Sequence, residues 1–558
     1  MSDENRLPSD WDAIVIGSGM GGLTCAAYLA AAGRRVLVLE QAGVLGGNSH
    51  VFRRSAAWEF DAGVHYIGDC GPDGVLPSVL RGLGLADRVT FRPMDPDGFD
   101  EIVLPGLRMR VPVGWDRYLG RLVEVLPEDK EGLHTFVQVC SAVGAEMRWA
   151  LLSAVGVEPA EILKRTSTAV SWGRRTLHDL FGHCALSAAA RTVLAAQALN
   201  YGIGPEEATV GMHASVTDHY LRGAGYPVGG GQVLAASLAE ALTAHGGRFL
   251  TRRRVARIRV EEGRACGVVL DTGQELRAPI VVSNADYPRT VLDLVGEDHL
   301  PAPVVGRARN AVMGHPLAVL YVGLDRELPR DTNANLWWHG NADIEASFRS
   351  LAEDRFDAPT SVFISFASDK DPGTAALRPA GHANFQVMAL CPRQLDRWGP
   401  SAATGDGRGY RRDPEYLAEK ERVTEAMLAT AEAALGPFRH HVAHLELATP
   451  PTQRRYTLST GGSPFGLARW GRTGARPDTR TGVAGLYVVG QSTRYGSGIT
   501  GAAVSGIACA GQILDRPLLP EVHAGAVTGD PGLLPERGPD WDPLHVCGGS
   551  APRGTHVR

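Results

Sequence analysis

The 558-residue sequence is short of three things: basic charge, clustered cysteine and long apolar runs. Lys and Arg number 56 against 61 Asp and Glu, a net charge of −5 at pH 7, so the basic footprint of a dedicated nucleic-acid binder is missing. The eight cysteines are scattered and no CxxC occurs. That argues against a zinc ribbon or a thioredoxin-like dithiol and fits reduced thiols in a cytosolic protein. No run of roughly 18 apolar residues is present, so no membrane-spanning helix is expected. The polar, acidic Met1–Asp10 is unlike a secretory signal. HExxH is absent and His440-His441-x-x-His444 lacks a metalloprotease context, so no metal is expected.

What is abundant is glycine, 68 residues, well above the usual ~7%. It has no triplet period, so collagen is excluded and the excess needs local explanations. The first lies near the N-terminus. Asp12–Ile16 reads as a buried strand, Gly22–Ala32 as an Ala/Leu-rich helix and Arg35–Glu40 as a second buried strand, the β-α-β opening of a parallel sheet. Between strand and helix stands Gly17-Ser18-Gly19-Met-Gly-Gly22, a G-x-G-x-x-G. Its glycines permit a tight turn, close approach to a pyrophosphate and close helix–strand packing. Glu40 ends the second strand, where a carboxylate accepts hydrogen bonds from both ribose hydroxyls and repels a 2′-phosphate, disfavouring NADP. These residues alone leave FAD and NAD undistinguished.

Two further glycine segments tip the balance to FAD. Gln41 is followed by Gly46-Gly47-Asn48, just beyond the ribose carboxylate. Near the other end of the chain, Leu486–Gly490 reads as a short strand, followed by Gln491 and a glycine-rich helix start, Gly498-Ile499-Thr500-Gly501. Between them, Arg254–Val260 and Ala265–Leu270 read as strands and Pro279–Ser283 as a buried strand ending at Asn284 and Asp286. Leu126–Arg222 is expected to be mainly helical, and Leu294–Gly474 mixed, with strands such as Ser361–Phe366 and Asn384–Leu390. The Gly- and Pro-rich stretch after Pro517 reads as a loosely ordered tail.

The blocks Glu59-Phe-Asp-Ala-Gly-Val-His65-Tyr66-Ile-Gly68, Met212-His-Ala214, His219-Tyr-Leu-x-Gly223, Tyr226-Pro-Val-Gly-Gly230 and Lys370-Asp-Pro372 resemble the retinol-saturase branch of the phytoene-desaturase and carotenoid-isomerase flavoprotein family. The likeness runs from about residue 12 to 514. It implies an α/β chain with a Rossmann-like FAD-binding domain assembled from 11–70, 225–293 and 475–516. A mixed α+β substrate domain is inserted as 71–224 and 294–474, and 517–558 forms the tail. It implies FAD held by Gly17, Ser18, Gly19, Gly22, Glu40, Gln41, Gly46, Gly47, Asn48, Val255, Asn284, Gly490, Gln491, Gly498, Ile499 and Thr500. It also implies an apolar polyene or isoprenoid-like substrate whose carbon–carbon double bond is reduced. Asn48 stands where many members have Arg, and Thr493–Ser497 departs from the pattern, so desaturation and cis–trans isomerisation stay open. A non-enzymatic prenyl-binding escort ranks lower.

A polyene offers few polar handles, so the protein's part is an apolar tunnel and control of one proton. The candidates for proton handling are His65 and Tyr66 first, then His219, Tyr226 and Tyr495. A single nucleotide fingerprint leaves the electron partner open among NAD(P)H, a quinone, O2 and a redox protein. Leu336-Trp337-Trp338-His339 is weighed as tunnel wall, and Met147–Phe181, with Lys164, Arg165, Arg174 and Arg175, as a lipid-touching face. In both cases the core reading is preferred. The expected location is the cytoplasm, with peripheral membrane contact left open.

Overall fold

The computed structural model describes residues 10–55, 57–374, 376–403, 409–469 and 476–548. Five short parallel strands form the first sheet, in the order Leu486–Val488, Val281–Ser283, Ala13–Ile16, Val36–Leu39 and Arg248–Leu250. The central strands are short apolar runs buried on both faces, as a parallel sheet covered on both sides requires. Their side chains alternate between two clusters. Ala13, Val15, Val36 and Val38 pack against helices, while Ile14, Ile16, Leu37 and Leu39 pack under an antiparallel sheet of Val255–Glu261, Arg264–Leu270 and Glu275–Arg277.

The helix Met20–Ala31 follows the glycine turn and is apolar nearly all round. It lies between the sheet and a second buried helix, Gly498–Leu514, and the crossing works only because both carry small residues. A Cβ at Gly506 would sit 2.3 Å from the Gly21 carbonyl oxygen. Gly33, at φ +83°, ends the first helix in the left-handed conformation.

The second domain is built on a seven-stranded mixed sheet: Val442–Ala448, Leu317–Leu324, Ala383–Leu390, Ser361–Ser365, Asn335–His339, Asp100–Leu104 and Leu107–Val111. Only the Asn335–His339/Asp100–Leu104 pair is parallel. One face, with Val319, Tyr321, Phe363 and Met388, looks toward the flavin-type domain and the helices of the 126–222 region. The other, with Leu320, Ile364, Phe385 and Val387, packs on the helix Pro414–Leu435.

Two expectations need correction. The stretch after Pro517 is not loose as far as residue 548; residues 549–558 lie outside the described part. Leu518, Leu519, Val522, Leu534 and Leu544 bury against the helices of the first domain. Arg537 and the Trp541 indole donate to Glu240, at 2.7 Å each. Asp542 forms a bidentate pair with Arg53 at 2.7 and 3.0 Å. Glycine and proline composition carried no information about these long-range partners. Second, the helices Pro159–Arg165 and Ser167–Trp172, expected as core, contain no buried residue.

Candidate functional site

The three glycine segments meet at the C-terminal ends of the parallel strands. Gly17 takes φ +88°, and a Cβ at Gly22 would lie 2.2 Å from the Gly17 carbonyl oxygen, so the third glycine is needed for helix–strand packing. Gly46 N–H donates to the Ser18 carbonyl at 3.1 Å, and a Cβ on Gly47 would stand 3.1 Å from the Gly19 Cα. The first and second glycine segments are thus in backbone contact. The Asn284 amide fills the room left by missing side chains: Cβ atoms at Gly19 and Gly490 would each come within 2.6 Å of it. It joins the first and third segments, a packing role that the turn-former reading did not foresee.

Glu40 is buried and accepts from Ser18 N–H (2.8 Å), Ser18 Oγ (2.6 Å) and Ala42 N–H (2.8 Å). This fixes the carboxylate beside the fingerprint with acceptor capacity to spare. The Glu40 carbonyl takes the Arg253 N–H at 2.8 Å, which brings Val255 alongside. At the opposite side the helix Gly498–Leu514 points its N-terminus into the same space, and Thr500 Oγ1 is buried there with no partner. A cradle of side-chain-free glycines, a fixed carboxylate and an orphaned hydroxyl at a helix start fit a dinucleotide with a ring system at the far end.

These groups line one end of a cavity of 2830 Å³. That is well beyond the roughly 300–1,000 Å³ of an ordinary small-molecule site. The other end lies in the second domain, walled by Leu199, Val216, Tyr220, Phe363, Met388 and Phe465. All the expected cofactor residues reach the cavity except Gly22, which lies behind it.

The five proton-handling candidates fare differently. Tyr66 is buried at the cavity wall, stacked on Tyr220 with ring centres 4.2 Å apart. Its hydroxyl donates to Asp100 Oδ2 at 3.0 Å and accepts from Asn200 Nδ2 at 3.1 Å. Asp100 is fully buried and also takes Gln197 Nε2 at 2.6 Å and Asn335 Nδ2 at 3.0 Å. Burial raises its carboxyl to about 6, against these hydrogen bonds that lower it. The Asn335 carbonyl receives Lys370 Nζ at 2.8 Å, and Lys370, buried and also bonded to Ser365 and the His65 carbonyl, is pushed down to about 7 by desolvation. Asp100, Gln197, Asn200 and Asn335 were not singled out in the sequence; Lys370 appeared only within a family block.

His65 lines the cavity, but burial, with Lys370 nearby, lowers it to about 3, so it is a neutral imidazole whose Nδ1 has no partner among the described residues. His219 accepts the Gly68 N–H on Nε2 at 3.1 Å and burial lowers it too, so it also stands neutral. Tyr226 is corrected: it does not line the cavity, and its hydroxyl is committed to the buried Asp61. Tyr495 lies at the cavity but packs with Ile499 on the core of the first domain. Trp337 is one layer back, fully buried and stacked on Phe363 at 4.1 Å, so it supports the wall without forming it.

Fold and site define a two-domain flavoprotein oxidoreductase whose cofactor is FAD. The chain belongs to the flavin containing amine oxidoreductase family, whose model matches residues 20–514. It is 28% identical over 549 residues to all-trans-retinol 13,14-reductase of Danio rerio, covering 92% of this chain and 88% of that one. It is 28% identical over 528 residues to prolycopene isomerase 1 of an Oncidium hybrid cultivar, covering 90% and 84%. These relatives bear out the resemblance to the retinol-saturase branch. Among solved structures, cyclohexylamine oxidase from Brevibacterium oxydans IH-35A shares the fold, with a TM-score of 0.57 and 20% identity, covering 91% of this chain and 100% of that one.

Proposed function

We propose that this enzyme reduces a carbon–carbon double bond of an apolar polyene or isoprenoid-like substrate. One observation carries the reading: a single cavity joins the glycine-built nucleotide cradle to an aromatic and aliphatic chamber with one hydroxyl, that of Tyr66, backed by a buried carboxylate. The names of the reductase and isomerase relatives agree with it.

In this reading Gly17, Ser18 and Gly19, with the start of the helix Met20–Ala31, hold the pyrophosphate. Glu40 holds the ribose and Val255 flanks the adenine. Gly46 and Gly47 with Gly490, Gln491 and the Gly498–Thr500 helix start surround the ring system. FAD, when bound, supplies hydride-transfer chemistry. The chain's own part is to align an apolar chain against the Tyr220 and Phe363 walls, to exclude water and to deliver a proton from the Tyr66 hydroxyl. Asp100 behind that hydroxyl then returns a proton to it. Neutral His65 and His219 orient and pack; neither carries a proton to give near neutral pH.

The test is anaerobic incubation of the chemically reduced holoenzyme with a panel of polyenes, followed by mass analysis. Products two hydrogens heavier support reduction. Products of unchanged mass or two hydrogens lighter overturn it in favour of isomerisation or desaturation. Purified protein that is colourless and takes up no FAD would remove the enzymatic reading.

A further inference from the structure

The helices Pro159–Arg165 and Ser167–Trp172 bury nothing, yet they are not polar. Val155 and Leu163 are each 60% exposed, Val170 61% and Met147 40%, four of the ten large apolar side chains that stand exposed among the described residues. A free surface normally scatters such residues singly; gathering them marks a contact face.

Basic residues accompany them. Residues 147–175 hold Arg148, Lys164, Arg165, Arg174 and Arg175 against Glu158 and Glu161, a local surplus of positive charge in a chain whose net charge is −5. Two cations lie over aromatic rings of the same patch: Arg165 at 5.1 Å from the Trp149 ring centre and Arg175 at 4.6 Å from that of Trp172. Exposed aliphatics, indoles and a basic fringe on short helices match a surface that lies on a lipid interface.

The third observation is position. Met147, Arg148, Leu151, Gly173 and Arg174 are at once part of this patch and part of the cavity wall. From there the helix Val210–Leu221 carries Met212, Val216 and Tyr220 along the cavity to the stack with Tyr66. The helix Ser167–Trp172 is held over the opening chiefly through its backbone, with Thr168 and Ala169 N–H donating to Glu146 at 3.3 and 2.6 Å.

We propose that residues 147–175 form a docking face for an anionic lipid bilayer, and that an apolar substrate passes from the bilayer into the cavity beside Met147 and Gly173. The docking rests on the patch alone. The passage rests on the proposed apolar substrate, whose negligible solubility in water leaves the bilayer as its reservoir.

The FAD-loaded full chain is floated with vesicles of three parts phosphatidylcholine to one part phosphatidylglycerol, and with vesicles of phosphatidylcholine alone, followed by its flavin absorption. Binding is expected to the first, weakly to the second, and to fall as salt screens the charges. The double variant Leu163→Glu/Val170→Glu, both positions outside the cavity wall, should lose more than about tenfold in vesicle affinity while keeping its FAD and melting temperature. A holoenzyme that ignores anionic vesicles, or a double variant that floats as well as the parent, overturns the proposal. So does a parent dimer that the same two substitutions dissolve, which would assign the face to a second copy. Vesicle binding is read without turnover, so an enzyme that binds bilayers yet alters no polyene sinks the substrate reading and leaves the docking face standing.

Discussion

Removing one oxygen, by Tyr66→Phe, separates proton delivery from everything else in the site. The phenyl ring keeps the 4.2 Å stack on Tyr220 and the cavity wall, and no cofactor contact is touched. What goes is the donor to Asp100 and the acceptor for Asn200, which costs about 1–3 kcal/mol of stability for groups left a partner short. If Tyr66 supplies the proton, turnover falls by about 10²–10⁴, the usual contribution of a positioned general acid. Asp100 adds a pH signature. Burial raises its carboxyl from 3.8 to about 6, so the protonated form that refills Tyr66 is full below about pH 6 and is lost as pH rises through that value. At pH 7 only about a tenth of the chains hold that proton, and the rate should fall about tenfold per pH unit above 6. Asp100→Asn should abolish this limb and leave a slow, pH-independent rate. The assay is single turnover of the chemically reduced enzyme with the substrate found in the panel, from pH 5 to 9, with product counted by mass. A Tyr66→Phe rate within threefold of the parent refutes Tyr66 as the proton source, and an unaltered acid limb in Asp100→Asn refutes the carboxylate behind it.

Other consequences follow from the packing. Glu40→Ala removes the acceptor that fixes Ser18 and Ala42 as well as the proposed ribose contact, and bonds to a carboxylate are worth about 1.5–3 kcal/mol each. FAD should therefore bind about ten- to a hundredfold more weakly by titration of the apoprotein, and unchanged affinity would place the nucleotide elsewhere. Gly22→Ala drives a methyl into the Gly17 carbonyl at 2.2 Å, so the variant should lose more than about 3 kcal/mol and emerge without FAD; a yellow, normally melting variant contradicts the packing. Arg537→Ala with Trp541→Ala strands the buried Glu240, a loss of about 3–5 kcal/mol and a drop in melting temperature on the order of 5–10 °C, which calorimetry reads directly. Tyr226→Phe should lower stability through Asp61 without changing the solvent isotope effect on turnover, because that hydroxyl lies outside the cavity.

The sequence was most informative where local pattern and structure share one cause. Ala13–Ile16 and Val36–Leu39 are apolar because both faces are covered, and Gly17 and Gly22 are glycines because of a positive φ and a carbonyl at 2.2 Å, so strand ends and fingerprint could be read in place. The site chemistry was legible only in half. Tyr66 stood out within a motif, but its partner Asp100 sits in a strand whose neighbour, Asn335–His339, comes from the other sequence segment of the second domain. No spacing rule announces that pairing. Glu240 looked like an ordinary helix carboxylate, because Arg537 and Trp541 are some 300 positions away. The exposed helices of 159–172 misled in the opposite sense, since apolar residues among charges look the same whether they face a core or a lipid surface.

The strand order of the first sheet also governs when this protein can come into being during synthesis. The central strand Ala13–Ile16 leaves the ribosome early, but one parallel neighbour is Val281–Ser283, and the edge beyond that waits for Leu486–Val488. Gly21 meets its partner Gly506 only afterwards, and the Leu45 N–H, one residue before Gly46, is not satisfied until Cys547 arrives with its carbonyl at 3.0 Å. Contacts this distant in sequence close late. The nucleotide cradle therefore stays open until nearly the whole chain is made, so FAD capture is a post-translational event and every nascent chain spends its synthesis without cofactor. Flavin scarcity in the cell should for that reason show first as full-length, colourless protein rather than as truncated chains.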